Sequence, residues 1–114
     1  MKESFQHWLT ENSLVPGVLA CGVRFPDRSC LSQSHTELLP NERLDQIWQR
    51  LSETVTFLNS QRLAPTQLSW TFSESQIHLA LRPDGISLGL ITAPEASESP
   101  ALAALVQRFL QFGE

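Results

Sequence analysis

Large apolar residues recur along this chain at two spacings, every third or fourth position in some stretches and every second position in others. Phe5, Trp8 and Leu9 form a single stripe at i, i+3, i+4, which predicts a short helix from about Glu3 to Glu11. Asn12-Ser13 and then Pro16-Gly17 end it. Val18 to Phe25 alternates, with Leu19, Cys21, Val23 and Phe25 on one side and Ala20 and Gly22 on the other. Pro26-Asp27-Arg28 turns the chain, and Ser29 to Ser34 returns as a more polar strand of the kind found at a sheet edge. A long helix starts near Pro40-Asn41-Glu42 and reaches about Ser60, with Leu44, Ile47, Trp48, Leu51, Val55 and Leu58 on one side of the wheel. Three alternating segments follow, Gln67 to Phe72, Gln76 to Arg82 and Ile86 to Thr92, joined by Ser73-Glu74-Ser75 and Pro83-Asp84-Gly85. Ala93 to Glu98 reads as a polar linker. Ser99-Pro100 then announces a last helix carrying Leu102, Leu105, Val106, Phe109 and Leu110 before Gly113.

The order αββαβββα predicts an α+β fold, a five-stranded antiparallel sheet with helices on both faces. Collected by face, the strands offer one side of large residues and another dominated by Ala20, Gly22, Ser69, Thr71, Ala80, Ser87 and Gly89. A helix approaches small residues closely, so the long helix is expected on the small face and the other two helices on the large one. Phe57 projects away from the apolar stripe of the long helix. Either the helix end frays and Phe57 tucks under Leu63-Ala64-Pro65, or Phe57 serves an interface.

The 114 residues suit one domain, 1–114. Eight basic against twelve acidic residues give a net charge of −4, with Lys2 the only lysine. That balance argues against nucleic acid as a partner, since phosphate binding rests on clustered Lys and Arg. No segment approaches the roughly 20 apolar residues of a membrane helix, and Met1 to Trp8 lacks the apolar run of a signal peptide, so a soluble cytoplasmic protein without a membrane partner is expected.

Chemistry leaves few marks. There is no phosphate-cradling glycine loop and no G-x-S-x-G elbow. With a two-residue turn at Asp27-Arg28, Phe25 would face Cys30 and Cys21 would face Ser34, placing both cysteines on one face but too far apart for a disulfide. Two reduced, packed thiols follow, and no spacing suggests a metal or cofactor. His7 and His35 read as solvated. His78 points to the small-residue face, as a covered structural histidine more readily than as a base, because no acid or nucleophile is spaced to work with it. Glu42, Asp45 and Glu53 fall on the outer side of the long helix. An enzyme is not expected.

Val15-Pro16-Gly17-Val18, the Pro40-Asn41-Glu42 helix start and the run Arg82-Pro-Asp-Gly-Ile-Ser-Leu-Gly-Leu-Ile-Thr92 together resemble the roadblock family of dynein light chains and bacterial GTPase regulators. The resemblance covers nearly the whole chain; Pro26-Asp27-Arg28-Ser29 departs from it where an Asp-Gly turn is usual. It implies a homo- or heterodimer in which the third strands of two subunits join into one sheet with the long helices side by side. Leu68, Trp70 and Phe72 would then form the pairing edge, and Trp48 and Phe57 would flank the two-fold axis. The strand itself agrees, being free of proline and charge and rich in Leu, Trp and Phe. The other reading of Trp70 is that it packs under the first and last helices. The resemblance further implies a non-catalytic scaffold or regulator that docks on a Ras-like small GTPase or a larger assembly. Two alternatives stand beside it: a small-molecule sensor with a cavity near His78, Cys21 and Arg24, and an effector-binding chaperone.

Overall fold

Every expected element forms in the expected order, in a computed structural model that describes residues 2–12, 14–94 and 99–112. The elements are α1 (Lys2–Asn12), β1 (Val18–Arg24), β2 (Cys30–Ser34), α2 (Asn41–Ser60), β3 (Gln67–Thr71), β4 (Gln76–Leu81), β5 (Ser87–Thr92) and α3 (Pro100–Gln111). Ser13, Gly113 and most of the expected Ala93–Glu98 linker lie outside the described residues. The strands make one antiparallel sheet in the order β2-β1-β5-β4-β3. β2 and β3 are therefore its two edges.

Two loops of one design set the register. In Pro26-Asp27-Arg28, the Arg28 N–H donates to the Phe25 carbonyl and the Phe25 N–H donates to the Ser29 carbonyl, both at 2.9 Å. Pro83-Asp84-Gly85 repeats this, Gly85 donating to Arg82 at 3.1 Å and Arg82 donating to Ile86 at 3.0 Å. In each loop proline presets the first φ. The aspartate Oδ1 then accepts from the backbone two residues on, Ser29 at 3.0 Å and Ile86 at 3.1 Å. The third residue takes a positive φ, 74° at Arg28 and 87° at Gly85.

An odd loop length inverts the faces expected from a two-residue turn. Cys30 pairs with Arg24, and Cys21 pairs with Gln33, so the two cysteines lie on opposite faces of the sheet. They form no disulfide; Cys21 is buried and Cys30 half-buried. Likewise Ala80 pairs with Leu88 and Leu79 with Gly89. The large residues of β4 thus share a face with the small residues of β5, and the expected split into one large and one small face is corrected. A register shift between Val18 and Ala20 also moves Leu19 off the face expected for it.

The larger core lies between the sheet and the pair α1/α3, where Phe5, Trp8 and Leu9 meet Val23, Leu88, Leu90, Leu105 and Phe109. Phe5 stacks edge-on against Phe25 and Phe112, with ring centroids 5.5 and 4.9 Å apart. Arg82 pins this side shut. Its guanidinium donates to the Phe109 and Phe112 carbonyls at 3.1 and 2.7 Å and to Asp84 at 2.6 Å, and it lies over the rings of Phe5 and Phe109. Ser99 caps α3 by accepting from the Ala101 N–H at 3.2 Å.

On the other face α2 rests on the sheet through Leu44 and Trp48, both buried against Ala20 and Ile91. The indole lies flat on the paired glycines Gly22 and Gly89. A Cβ on Gly89 would stand 2.5 Å from Trp48 Cζ3, so no larger residue fits. Trp48 Nε1–H donates to Ser32 Oγ at 3.1 Å, and Ser32 donates onward to Asp45 at 2.9 Å. Asp45 was expected on the outer side of the helix; it reaches β2 instead. Beyond Trp48 the helix buries less: Leu51, Val55 and Leu58 are only partly covered. It ends in a Schellman motif, Arg62 donating to Asn59 at 3.0 Å and Leu63 to Leu58 at 2.9 Å, with Arg62 at φ 63°.

Two arginines thus occupy left-handed positions that favour glycine. Arg28→Gly and Arg62→Gly are each expected to stabilise the fold by roughly 0.5–1 kcal/mol, read as a higher urea midpoint at unchanged slope. Gly89→Ala, by contrast, should lower that midpoint, costing about 1–3 kcal/mol as the indole is lifted from its seat.

Candidate functional site

β3 pairs with β4 alone, and its other side is open. Leu81 donates to the Thr66 carbonyl and Phe72 to the Ser75 carbonyl, both at 2.9 Å. By alternation along an antiparallel ladder, the backbone groups of Leu68 and Trp70 turn inward to β4, and the N–H and C=O of Gln67, Ser69 and Thr71 turn outward. A row of unpaired donors and acceptors lines this edge. It carries no proline, lysine, arginine, aspartate or glutamate, the residues that usually protect such an edge.

Trp70 pairs with Ile77 and Leu68 with Leu79, which places both on the α2 side. The reading in which Trp70 packs under the first and last helices is therefore corrected. The two-residue Ser73-Glu74 turn keeps the large residues of β3 and β4 on one face, and the three-residue loop after β4 turns that face toward α2. Leu68 and Trp70 are half-buried, and Phe72 is 51% exposed just past the strand. Phe57 is 62% exposed on an unbroken helix and Leu63 is 60% exposed, so Phe57 does not tuck beneath the loop that follows. Trp48 differs from these. At 4% exposure, its ring is enclosed by its own sheet and helix.

The three residues expected around a small-molecule cavity are divided by the sheet. Arg24 lies on the α2 face, whereas His78 and Cys21 flank Leu90 on the α1/α3 face. His78 is covered by α3, in a cleft of about 300 Å³ with Leu102, Ala103 and Val106 above it. Its Nδ1 is 3.2 Å from Ser69 Oγ and its Nε2 3.5 Å from the buried Thr92 Oγ1. A hydroxyl thus stands beside an imidazole, and among the described residues the cleft lining holds no carboxylate to orient it. Burial pushes the His78 pKa below its ordinary 6.5. Burial likewise pushes the Cys30 thiol up, offset in part by the Arg24 charge. At the β1–β2 loop, Lys2 and Ser29 hold the Asp27 carboxyl well below the usual carboxylate range. Among the described residues no cluster of three His, Cys, Asp or Glu could hold a metal, and no helix is long and apolar enough to cross a membrane.

The unfolded chain protonates His78 before the folded chain does, so proton uptake favours unfolding. Stability from this group is complete above the ordinary histidine pKa and is lost as pH falls from there toward the depressed folded value. Urea titrations between about pH 7.5 and 5 should show this decline in the wild type and a shallower one in His78→Gln.

Sequence comparison returns no matching family model and no matching curated protein. Among solved structures, the chain is similar to Myxococcus xanthus MglB, at 7% identity and a TM-score of 0.64, over 90% of this chain and 86% of that one. With so little identity the likeness bears on architecture: three helices around a five-stranded antiparallel sheet, an α+β, roadblock-like fold.

Proposed function

We propose that this chain is a non-catalytic scaffold or regulator that acts in the cytoplasm as a dimer, closed by antiparallel pairing of β3 with β3 of a second copy. The carrying observation is the open edge at Gln67, Ser69 and Thr71, whose backbone groups have no partner strand and no charge to keep one away. Pairing across a two-fold axis would merge two five-stranded sheets into one and satisfy both rows at once. Leu68 and Trp70 would gain cover on the α2 side, and Phe72 and Phe57 supply exposed aromatic area. Trp48 contributes indirectly, by fixing the helix that would lie beside its mate.

The roadblock resemblance extends this to a partner: a Ras-like small GTPase, or a larger assembly, docked on the paired subunits. The negative balance of the chain is compatible with a protein partner and leaves nucleic acid unsupported.

Light scattering should return twice the chain mass across a wide concentration range, and Trp70→Lys should return the single-chain mass with an unchanged circular dichroism spectrum. A wild-type monomer at high concentration overturns the pairing. Retention of GTP-loaded small GTPases on the immobilised wild type, and not on Trp70→Lys, tests the docking step separately.

A further inference from the structure

Past Trp48, α2 continues above a part of the sheet that it does not touch. The gap is a cavity of about 500 Å³, within the range of small-molecule sites. Val55 and Thr56 roof it, Leu79 and Leu81 floor it, and Ser87 and Arg24 stand on the β5 and β1 sides. Among the described residues its lining contains no aspartate or glutamate. The other arginine at its border, Arg82, directs its guanidinium to the opposite face of the sheet, where Phe109, Phe112 and Asp84 hold it. Arg24 is thus the one cation that the cavity can use.

Arg24 is also incompletely matched. Its Nε is buried and has no hydrogen-bond acceptor among the described residues. Arg24 stands between this cavity and a second cleft that Asp45 and Glu53 also line, yet among the described residues no ion pair joins it to either carboxylate. Its cross-strand neighbour is the Cys30 thiol, a weak acceptor. A buried guanidinium N–H without an acceptor, at the border of a cavity lined by no described carboxylate, can take an anion from that side.

We infer that this cavity binds a small amphipathic monocarboxylate, its apolar body between Val55 and the Leu79-Leu81 floor and its carboxylate accepting from Arg24. A single negative charge fits better than a phosphate. One arginine is present, and the C-terminal half of α2, the negative end of its dipole, overhangs the site. The hydroxyls of Thr56 and Ser87 can complete the carboxylate's hydrogen bonds. This reading uses residues distinct from the β3 edge and stands whether or not the chain dimerises.

The test is calorimetric titration of the full chain with octanoate, with 1-octanol as the uncharged control, alongside amide shift mapping by NMR. Octanoate should bind the wild type and perturb Thr56, Leu79 and Leu81. Arg24→Met should weaken octanoate about tenfold or more while leaving octanol unchanged. Val55→Trp, which fills the cavity and keeps Arg24, should abolish both. Equal octanoate affinity in wild type and Arg24→Met, binding that survives Val55→Trp, or no shifts in the wild type at millimolar octanoate would each overturn the site.

Discussion

The fold turns on one contact, the Trp48 indole seated on the Gly22-Gly89 pair. These glycines are cross-strand partners at the centre of the sheet, and together they make a floor without side chains. The ring fills that floor, and its N–H is satisfied through Ser32, which in turn satisfies Asp45. Shape and hydrogen bonding therefore agree on one position for α2. A close seat for one large ring cannot also be a close seat for the next two turns, whose side chains are smaller and whose floor is Leu79 and Leu81. The helix is held at its first half and stands off at its second. That divergence opens the cavity beside Arg24.

The three-residue loops decide what the two faces can do. Because Pro26-Asp27-Arg28 and Pro83-Asp84-Gly85 each contain an odd number of residues, β2 and β4 are turned over relative to a two-residue hairpin. One consequence is that Arg24 and Cys30 share the α2 face while Cys21 is enclosed under α1. Another is that β3 follows β4, so Trp70 and Leu68 point to the side where α2 gives incomplete cover. Had the second loop been two residues long, the tryptophan would have been sealed beneath α3 and the open edge would have carried no apolar flank.

The molecule divides its apolar surface unevenly. The α1/α3 side is closed by aromatic packing and by Arg82, which reaches from the hairpin to the last carbonyls of α3. The α2 side is closed over β2, β1 and β5. Its remainder, from the cavity to the β3 edge, holds the half-buried and exposed side chains available to a ligand or a second subunit.

Element order and helix lengths were legible along the chain, whereas β3 as the open edge came from the roadblock resemblance, with which a strand free of proline and charge agreed. Order and lengths rest on local periodicity: the 3.6-residue stripe from Leu44 to Leu58, the alternation from Leu68 to Phe72, the cap at Ser99. Which residues share a face was not legible, because it depends on loop parity, and a positive φ at Arg28 carries no compositional mark where glycine would have given one. Phe57 could be singled out as surplus to the core, since its angle on the helix is a local quantity. Trp48 could not be told from an interface aromatic, and Arg24 from a surface one. Their roles arise from contacts across strands far apart in sequence, where a pair of glycines meets one ring and a buried guanidinium N–H is left without an acceptor, and only the packed chain brings those groups within reach.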